Sequence, residues 1–133
     1  MIAAEQCDQQ RKTISGMTGI GIDEEHAVER AGRILLERLH SDAVLVTCGE
    51  KGMNLFQVDR PMETIDTVAQ SVYDVTGAGD TVISTLALAL AAGVPMTESA
   101  ILANFSAGVV VGKMGTATVT ISEIRKAMRV FVS

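Results

Sequence analysis

The residues best suited to chemistry form one heptapeptide, Asp74-Val75-Thr76-Gly77-Ala78-Gly79-Asp80, which directly precedes a long apolar helix pattern. A turn of small residues at a helix N-terminus leaves backbone N–H groups free to face an anion, and the helix dipole favours negative charge there. Asp80 would then lie beside the anion, where a carboxylate can accept the proton of an attacking hydroxyl group. The heptapeptide therefore indicates phosphoryl transfer.

Each part of this motif also has an ordinary structural explanation. An isolated Gly-x-Gly is most often only a tight connection, and an Asp at a helix start can serve only the helix dipole, at ~0.3–1 kcal/mol. Here two carboxylates, a threonine and two glycines gather before a helix that is apolar on all sides. We interpret that combination as a site rather than a surface turn.

Composition and charge exclude several function classes. The 133 residues are 47% hydrophobic and only 3% aromatic, and the net charge is −5 without a Lys/Arg cluster, so nucleic-acid binding is not expected. The most apolar stretch, Val82–Met96, is shorter than the roughly 20 residues that span a bilayer, so no membrane association is expected. Cys7 and Cys48 form no disulfide framework, and the N-terminus lacks a signal-peptide pattern. These features favour a cytoplasmic protein.

Hydrophobic periodicity predicts interleaved helices and strands. The first predictions are a helix over 24–40 with Asp23 as its N-cap, a strand over Ala43–Thr47 covered on both faces, a turn over Gly49–Gly52 and a strand over Met53–Val58. One or two extended segments follow over 61–73, then helices over Ala78–Ala92 and from Thr97, its N-cap, to about Gly112, and a terminal helix begun by a Thr120–Glu123 capping box. This order is typical of an α/β protein in layers.

The heptapeptide resembles the second signature of the ribokinase-like sugar kinases, Asp-x-x-Gly-Ala-Gly-Asp before a small-residue helix. The resemblance runs from about residue 23 to the C-terminus. Thr47-Cys48-Gly49-Glu50-Lys51-Gly52 is similar to the family's nucleotide segment, and Ala103-Asn104 with Ala107-Gly108 to the helix lining its adenine pocket. Within the family, the resemblance is strongest to the bacterial heptose 7-phosphate kinases, which are often fused to an adenylyltransferase. It is carried by two sequence segments, Tyr73–Ile83 and Ala107–Val119.

The resemblance implies a role for each matching residue. Asp80 would be the general base, and the amides of Gly77, Ala78 and Gly79 would form an anion hole for the transferred phosphoryl group. The residues that would hold ATP are Thr47, Gly49, Gly52, Asn104 and Gly108, with Lys51 either on a phosphate or simply solvated. A monovalent cation (K⁺) would bind at Asp74, Thr76 and the backbone at Met114 and Gly115, where hard oxygen donors suit such an ion.

Family members are more than twice this length, and their first half supplies the sugar-binding residues and a lid. The segment that helps hold Mg²⁺, an Asn-x-x-Glu, is not preserved near Gln10–Thr13. We therefore expect one partial kinase domain, with a poorly defined segment over 1–22 and the ATP-side half over 23–133. Its expected fold is the C-terminal, nucleotide-binding half of a three-layer α/β/α ribokinase-like (Rossmann-like) core.

Three functions stay open at this point. The first is ATP-dependent phosphoryl transfer to a sugar hydroxyl, best matched by conversion of heptose 7-phosphate to heptose 1,7-bisphosphate in ADP-heptose and lipopolysaccharide core synthesis. The second is a catalytically incomplete module that binds nucleotide or self-associates. The third is a kinase for another sugar or a nucleoside. The expected partners are ATP with Mg²⁺ and a phosphorylated sugar. An open sheet edge and uncovered apolar faces would also favour a homo-oligomer.

Overall fold

Helices pack on both faces of a three-stranded sheet in this chain. The computed structural model describes residues 27–69 and 71–132. The described elements are α1 (Ala27–Arg38), β1 (Ala43–Thr47), a 3₁₀ turn (Gly49–Lys51), β2 (Met53–Gln57), β3 (Glu63–Ile65), α2 (Ala78–Ala91), α3 (Met96–Val111) and α4 (Ile121–Val132). The predicted order, with the strands between the first helix and the three later helices, is confirmed.

The described sheet has the order β1-β2-β3, and both pairings are antiparallel. Thr47 lies opposite Met53, which in turn lies opposite Ile65. Since successive side chains of a strand point to opposite faces, this register gives each face its own apolar set. The turn between β1 and β2 therefore lies next to the end of β3.

The two faces of the sheet carry separate cores. The face toward α2 and α3 buries Ala43, Leu45, Met53 and Leu55 with Val82, Leu86, Ala100 and Ala103. The face toward α1 buries Val44, Val46 and Phe56 with Ala31, Leu35 and Leu36. Each large apolar side chain buried in this way contributes roughly 1.5–3 kcal/mol. The three-layer α/β/α arrangement and the coverage of β1 on both faces are as predicted.

Helix α1 approaches the sheet closely at a glycine. A Cβ added at Gly32 would lie 2.3 Å from the ring of Phe56, so a larger residue there would displace the ring. The neighbouring Arg33 places its guanidinium 5.8 Å from the centre of the same ring and donates to the carbonyls of Gln57 and Arg60. The glycine in this helix is therefore explained by packing.

The prediction that Thr97 caps the third helix is wrong. The helix begins at Met96 after Pro95, and no side chain caps it. The Thr97 hydroxyl donates instead to the carboxylate of Glu63, at 3.1 and 3.2 Å, and that carboxylate also accepts the amide of Gln57 at 3.1 Å. A carboxylate acceptor makes a stronger hydrogen bond than the neutral groups at a helix end, and here it joins α3 to β2 and β3.

The capping box at the start of α4 is confirmed. The Thr120 amide donates to the Glu123 carboxylate at 2.8 Å, and the Glu123 amide donates back to the Thr120 hydroxyl at 3.3 Å. Near the other end of the helix, Phe131 meets Phe105 of α3 edge to face, with ring centres 5.6 Å apart. Both ends of α4 are thus fixed by contacts that the structure describes.

Several boundaries differ from the predictions. The second strand ends at Gln57, one residue before the predicted Val58, although the Val58 amide still donates to the Asp42 carbonyl opposite it, at 3.3 Å. The one or two extended segments predicted over 61–73 are met by one short strand, β3, and the residues after it follow helix α3 instead of extending the sheet. The predicted start of the first helix, with Asp23 as N-cap, lies outside the described residues, as does the segment 1–22.

The described residues bear on two expectations from the sequence, those on membrane association and on the cysteines. Within the described ranges, no helix combines the length and apolar character needed to cross a bilayer. Cys48 carries a partly buried thiol, whose sulfur accepts a hydrogen bond from the Asn54 side-chain amide at 3.3 Å. Cys7 lies outside the described residues.

Candidate active site

The heptapeptide forms a sharp turn into helix α2. Gly77 precedes the helix with φ 79° and ψ 3°, a left-handed conformation that glycine adopts without the cost of a Cβ. Its carbonyl accepts the amide and the hydroxyl of Thr81, at 3.0 and 2.9 Å. Asp80 is the third residue of the helix and is exposed. Its carboxylate is therefore at the positive end of the helix dipole and open to a ligand.

Three backbone amides around this turn are open. The Ala78 amide donates to the Val75 carbonyl at 3.1 Å and is engaged. Among the residues that the structure describes, the amides of Gly77, Gly79 and Asp80 have no carbonyl partner. Free N–H groups of this kind at a helix start form an anion-binding position. The open set differs by one member from the one expected from the sequence, since Asp80 replaces Ala78.

Of the four residues expected to bind a cation, Asp74, Thr76 and Gly115 meet in one place. Hydrogen bonds from the Thr76 hydroxyl, from the Thr76 amide at 2.8 Å and from the Gly115 amide lower the pKa of the Asp74 carboxyl. The amides of Tyr73 and Asp74 donate to the Val111 carbonyl, at 2.8 and 3.3 Å. The heptapeptide is thus held against the end of α3 and the loop that follows it.

The segment expected to hold ATP phosphates is a glycine turn at the end of β1. The Cys48 amide donates to the Gly52 carbonyl at 2.7 Å, and Gly49 and Gly52 have φ values of +60° and +82°. A Cβ at Gly52 would lie 2.1 Å from the Ile65 carbonyl oxygen. Lys51 is exposed, and Thr47 ends the strand partly buried. The turn is therefore closed by its own backbone hydrogen bonds, with Lys51 exposed and Gly52 packed on the backbone after β3.

The helix expected to line the adenine pocket faces an irregular segment instead of open space. Asn104 is buried, and its side-chain amide donates to the Asp66 carbonyl at 2.7 Å. A Cβ added at Gly108 would lie 3.0 Å from a methyl group of Val68. Both residues thus fix the connecting segment, by which we mean residues 66–74 without the undescribed residue 70.

The connecting segment joins the two groups of predicted site residues. Its start lies against Gly52, its middle lies against α3, and a Cβ at Gly112 would be 3.6 Å from the Ser71 carbonyl. Its end is Asp74, the first residue of the heptapeptide. Because Asn104, Gly108 and Gly112 are spaced four residues apart, they form one stripe along α3. The sequence signal for this packing is the pair of small residues Gly108 and Gly112, whereas the resemblance assigns Asn104 and Gly108 to the nucleotide.

A further pair of residues was missed by the sequence analysis. The Lys113 ammonium lies 2.7 Å from the Glu123 carboxylate and donates to the Thr118 carbonyl at 2.7 Å. The hydrogen bond donated by the Lys113 ammonium, together with those from the Thr120 amide and hydroxyl, lowers the pKa of Glu123 to about 2. The spacing of ten residues spans a loop, so no helical periodicity marks this pair.

The depressed pKa of Glu123 predicts acid sensitivity. A carboxyl whose pKa is lower in the folded state stabilises the fold above its ordinary pKa of 4.5, and that contribution is lost as the pH falls to about 2. We expect Glu123→Gln to be less stable than the unmodified chain at neutral pH and to lose this difference in acid. Urea unfolding at a series of pH values measures it. A difference that stays constant from neutral pH down to pH 2 would contradict the prediction.

Residues 10–123 match the family model described as pfkB family carbohydrate kinase. Among curated relatives, the chain is 44% identical over 118 residues to the bifunctional protein HldE of Syntrophotalea carbinolica, covering 89% of this chain and 24% of that protein. It is 51% identical over 107 residues to HldE of Photorhabdus laumondii, covering 80% and 22%. The chain thus spans about a quarter of the length of these relatives.

Solved structures support the fold independently. Ribokinase of Arabidopsis thaliana, solved with ribose and ATP, matches with a TM-score of 0.79 at 25% identity, covering 90% of this chain and 39% of that one. Phosphofructokinase-2 of Escherichia coli, solved with potassium, matches with a TM-score of 0.81 at 15% identity, covering 92% and 40%. The first expectation of a ribokinase-like α/β fold is confirmed. The chain belongs to the pfkB family of carbohydrate kinases.

Proposed function

We propose that this chain is the ATP-side part of a kinase that transfers the γ-phosphoryl group of ATP to a sugar hydroxyl. The observation that carries the proposal is the exposed Asp80 carboxylate at the start of α2, beside the open amides of Gly77 and Gly79. A base and an anion position on one helix start are the two groups that phosphoryl transfer to a hydroxyl requires.

Each group has a distinct task in this proposal. Asp80 accepts the proton of the sugar's anomeric hydroxyl as its oxygen attacks the γ-phosphorus. The amides of Gly77, Gly79 and Asp80 donate to the phosphoryl oxygens, where negative charge accumulates in the transition state. Removing one such donor usually costs on the order of 10²–10³ in rate. Ala78 keeps the turn closed through its hydrogen bond to Val75.

We place the nucleotide along the glycine turn and the connecting segment. In this proposal Thr47 and Gly49 face the phosphates at the end of the strand, and the exposed Lys51 can reach a phosphate from the same turn. Gly52 keeps that turn closed, since its amide donates to the Gly49 carbonyl at 3.1 Å. Asn104 has its amide committed to Asp66, so in this proposal it shapes the wall next to the base by fixing the connecting segment. Gly108 serves the same wall by allowing the close approach of Val68.

The residues present fit a monovalent cation better than a fully protein-bound Mg²⁺. The carboxylate of Asp74 and the hydroxyl of Thr76 are hard oxygen atoms beside the anion position, and the Gly115 amide holds the same carboxylate by a hydrogen bond; we propose these residues as the K⁺ site. Within the described residues, no group of three or more His, Cys, Asp or Glu could hold a metal ion. Mg²⁺ commonly binds through substrate phosphates and only one or two carboxylates, so it would arrive with ATP and neutralise phosphate charge.

Heptose 7-phosphate is the sugar that we propose. One support is that the sequence segments around the heptapeptide and the end of α3 resemble those of the heptose 7-phosphate kinases. The other is the 44–51% identity to proteins named HldE. The structural matches also include a nucleoside kinase of Methanocaldococcus jannaschii, at 29% identity and a TM-score of 0.63. A nucleoside or another sugar is therefore the second candidate substrate.

The test measures transfer of labelled γ-phosphate from ATP to a panel of acceptors: heptose 7-phosphate, ribose, fructose 6-phosphate and a nucleoside. We expect the heptose to be preferred. Because the chain covers 22–24% of its relatives, the assay includes ATP binding as a second measurement. Binding without transfer to any acceptor would support the incomplete nucleotide-binding module, and neither binding nor transfer would remove the proposal. We also propose that the protein is cytoplasmic, whether it transfers phosphate or only binds ATP.

We also propose that the chain self-associates through exposed apolar residues. Leu88 on α2 is 73% exposed, and Phe131 and Val132 at the end of α4 are 62% and 86% exposed. Apolar side chains grouped on helix faces gain free energy when a second surface covers them. Sedimentation velocity at micromolar concentration should show a dimer or larger species, and Leu88→Ser should reduce it. A strictly monomeric profile of the unmodified chain would contradict this proposal.

A further inference from the structure

The loop between α3 and α4 is closed by charged groups at its two ends. Lys113, just after α3, contacts both the Thr118 carbonyl and the Glu123 carboxylate at 2.7 Å. The second oxygen of that carboxylate accepts the Thr120 amide and hydroxyl, at 2.8 and 2.9 Å. Glu123 therefore joins the start of the loop, the end of the loop and the first turn of α4 through one side chain.

The same loop touches the heptapeptide at two points. The Gly115 amide contributes to the hydrogen bonds that lower the pKa of Asp74. A Cβ built on Gly77 would lie 3.6 Å from the side-chain methyl of Thr116, so the loop lies directly beside the residue that turns the chain into α2. The position of the loop therefore constrains both ends of the turn that presents the open amides.

We propose that the Lys113–Glu123 pair is a positioning pair, which holds the loop over residues 113–120 against the heptapeptide and so sets the geometry of the anion position at Gly77, Gly79 and Asp80. This inference rests on the proposed function, because it assigns the pair to the same site. Neither side chain contacts the reacting atoms in the proposal. Their effect passes through Gly115 and Thr116.

Glu123→Gln gives the sharpest test because two explanations predict opposite results. Gln can replace Glu in a capping box, so the start of α4 is retained while the ion pair is lost. If the pair positions the loop, the variant binds an anion at the turn more weakly. Loss of the full ~1 kcal/mol of a good exposed pair corresponds to about fivefold weaker binding. If only overall charge mattered, removal of a negative charge would raise anion affinity instead.

Lys113 is tested by a matched series. Lys113→Met removes the ion pair and the bond to Thr118, and anion affinity should fall by about tenfold, since a second hydrogen bond is lost. Lys113→Arg keeps a donor and a charge and should restore most of the affinity. Lys126→Met makes the same change of charge and length on the exposed surface of α4 and should leave affinity close to that of the unmodified chain.

The measurement is a titration of the ¹⁵N-labelled chain with inorganic tripolyphosphate, followed through the amide signals of Gly77, Gly79 and Asp80. Urea unfolding of each variant confirms that it is folded. Support requires weaker binding in Glu123→Gln and Lys113→Met, recovery in Lys113→Arg, and shifted Gly115 and Thr76 signals before any anion is added. Equal or tighter binding in Glu123→Gln would overturn the positioning role.

The outcomes also separate this inference from the proposed function. If the unmodified chain binds tripolyphosphate at these amides but shows no phosphoryl transfer that depends on Asp80, the proposed function fails while the pair is still judged by the titration. If tripolyphosphate leaves the three amide signals unchanged in the unmodified chain, the anion position and the role of the pair are both overturned.

Discussion

Asp80→Asn is expected to lower the rate of phosphoryl transfer by about 10²–10⁴-fold, the contribution that a positioned general base commonly makes. Asn has the same shape but cannot accept the proton of the attacking hydroxyl. The residue is exposed, so the fold should lose only the ~0.3–1 kcal/mol by which a carboxylate stabilises a helix start. ATP affinity should not fall, because a negative charge beside the phosphates has been removed.

The measurement is initial transfer from γ-labelled ATP to heptose 7-phosphate, with ATP affinity determined separately by calorimetry. Asp42→Asn is the matched control, since it makes the same change at an exposed position before β1, away from the heptapeptide. A loss confined to kcat would support proton abstraction by Asp80. Equal rates for Asp80→Asn and the unmodified chain would remove the enzymatic role from this chain and leave a nucleotide-binding module.

The elements that the sequence predicted best are those whose cause is local. The strand Ala43–Thr47 has the predicted bounds because five consecutive apolar or β-branched residues fit a strand buried on both faces. Helix α2 begins at the predicted Ala78 because Gly77 supplies the left-handed turn. The Thr120–Glu123 box acts between residues three apart, so its pattern is visible in the sequence itself.

The predictions failed where a partner far along the chain decides the conformation. Thr97 has the residue type of an N-cap, but Glu63, 34 residues earlier, offers its hydroxyl a carboxylate. Over 61–73 the prediction of one or two extended segments is met by the short strand β3, but the sequence did not predict that the later residues are held by Asn104 and Gly108 of α3. Hydrogen bonds between distant segments leave no periodic pattern in either one.

In the candidate site, too, features with a local cause could be predicted from the sequence, whereas contacts between distant residues could not. The turn of small residues and the position of Asp80 at the helix start follow from the heptapeptide alone, and the structure has Gly77 in the left-handed conformation and Asp80 exposed there. The hydrogen bonding of Ala78 to Val75 depends on how tightly the turn closes, which composition does not reveal. The approach of Gly115 to Asp74 required the resemblance to known kinases, since 41 residues separate them. The pair Lys113–Glu123 had no signal in spacing or resemblance.

The largest effect on stability is expected from Gly52→Ala, at on the order of 3 kcal/mol or more. Gly52 has φ 82° and ψ −134°, which residues with a Cβ rarely adopt. The added Cβ would lie 2.1 Å from the Ile65 carbonyl oxygen and 2.8 Å from the Thr67 amide nitrogen. Both are backbone atoms, so no side-chain rotation relieves the contact, and the start of the connecting segment must move.

Gly49→Ala separates the two causes of that loss. Gly49 has φ +60° in the same turn, but nothing lies within 4 Å of an added Cβ, so only the left-handed backbone is penalised, by about 1–2 kcal/mol. Urea unfolding of both variants should therefore show a clearly lower midpoint for Gly52→Ala. Similar midpoints would mean that the backbone after β3 yields easily at Gly52. That result would contradict the interpretation that the connecting segment rigidly links the glycine turn to Asp74.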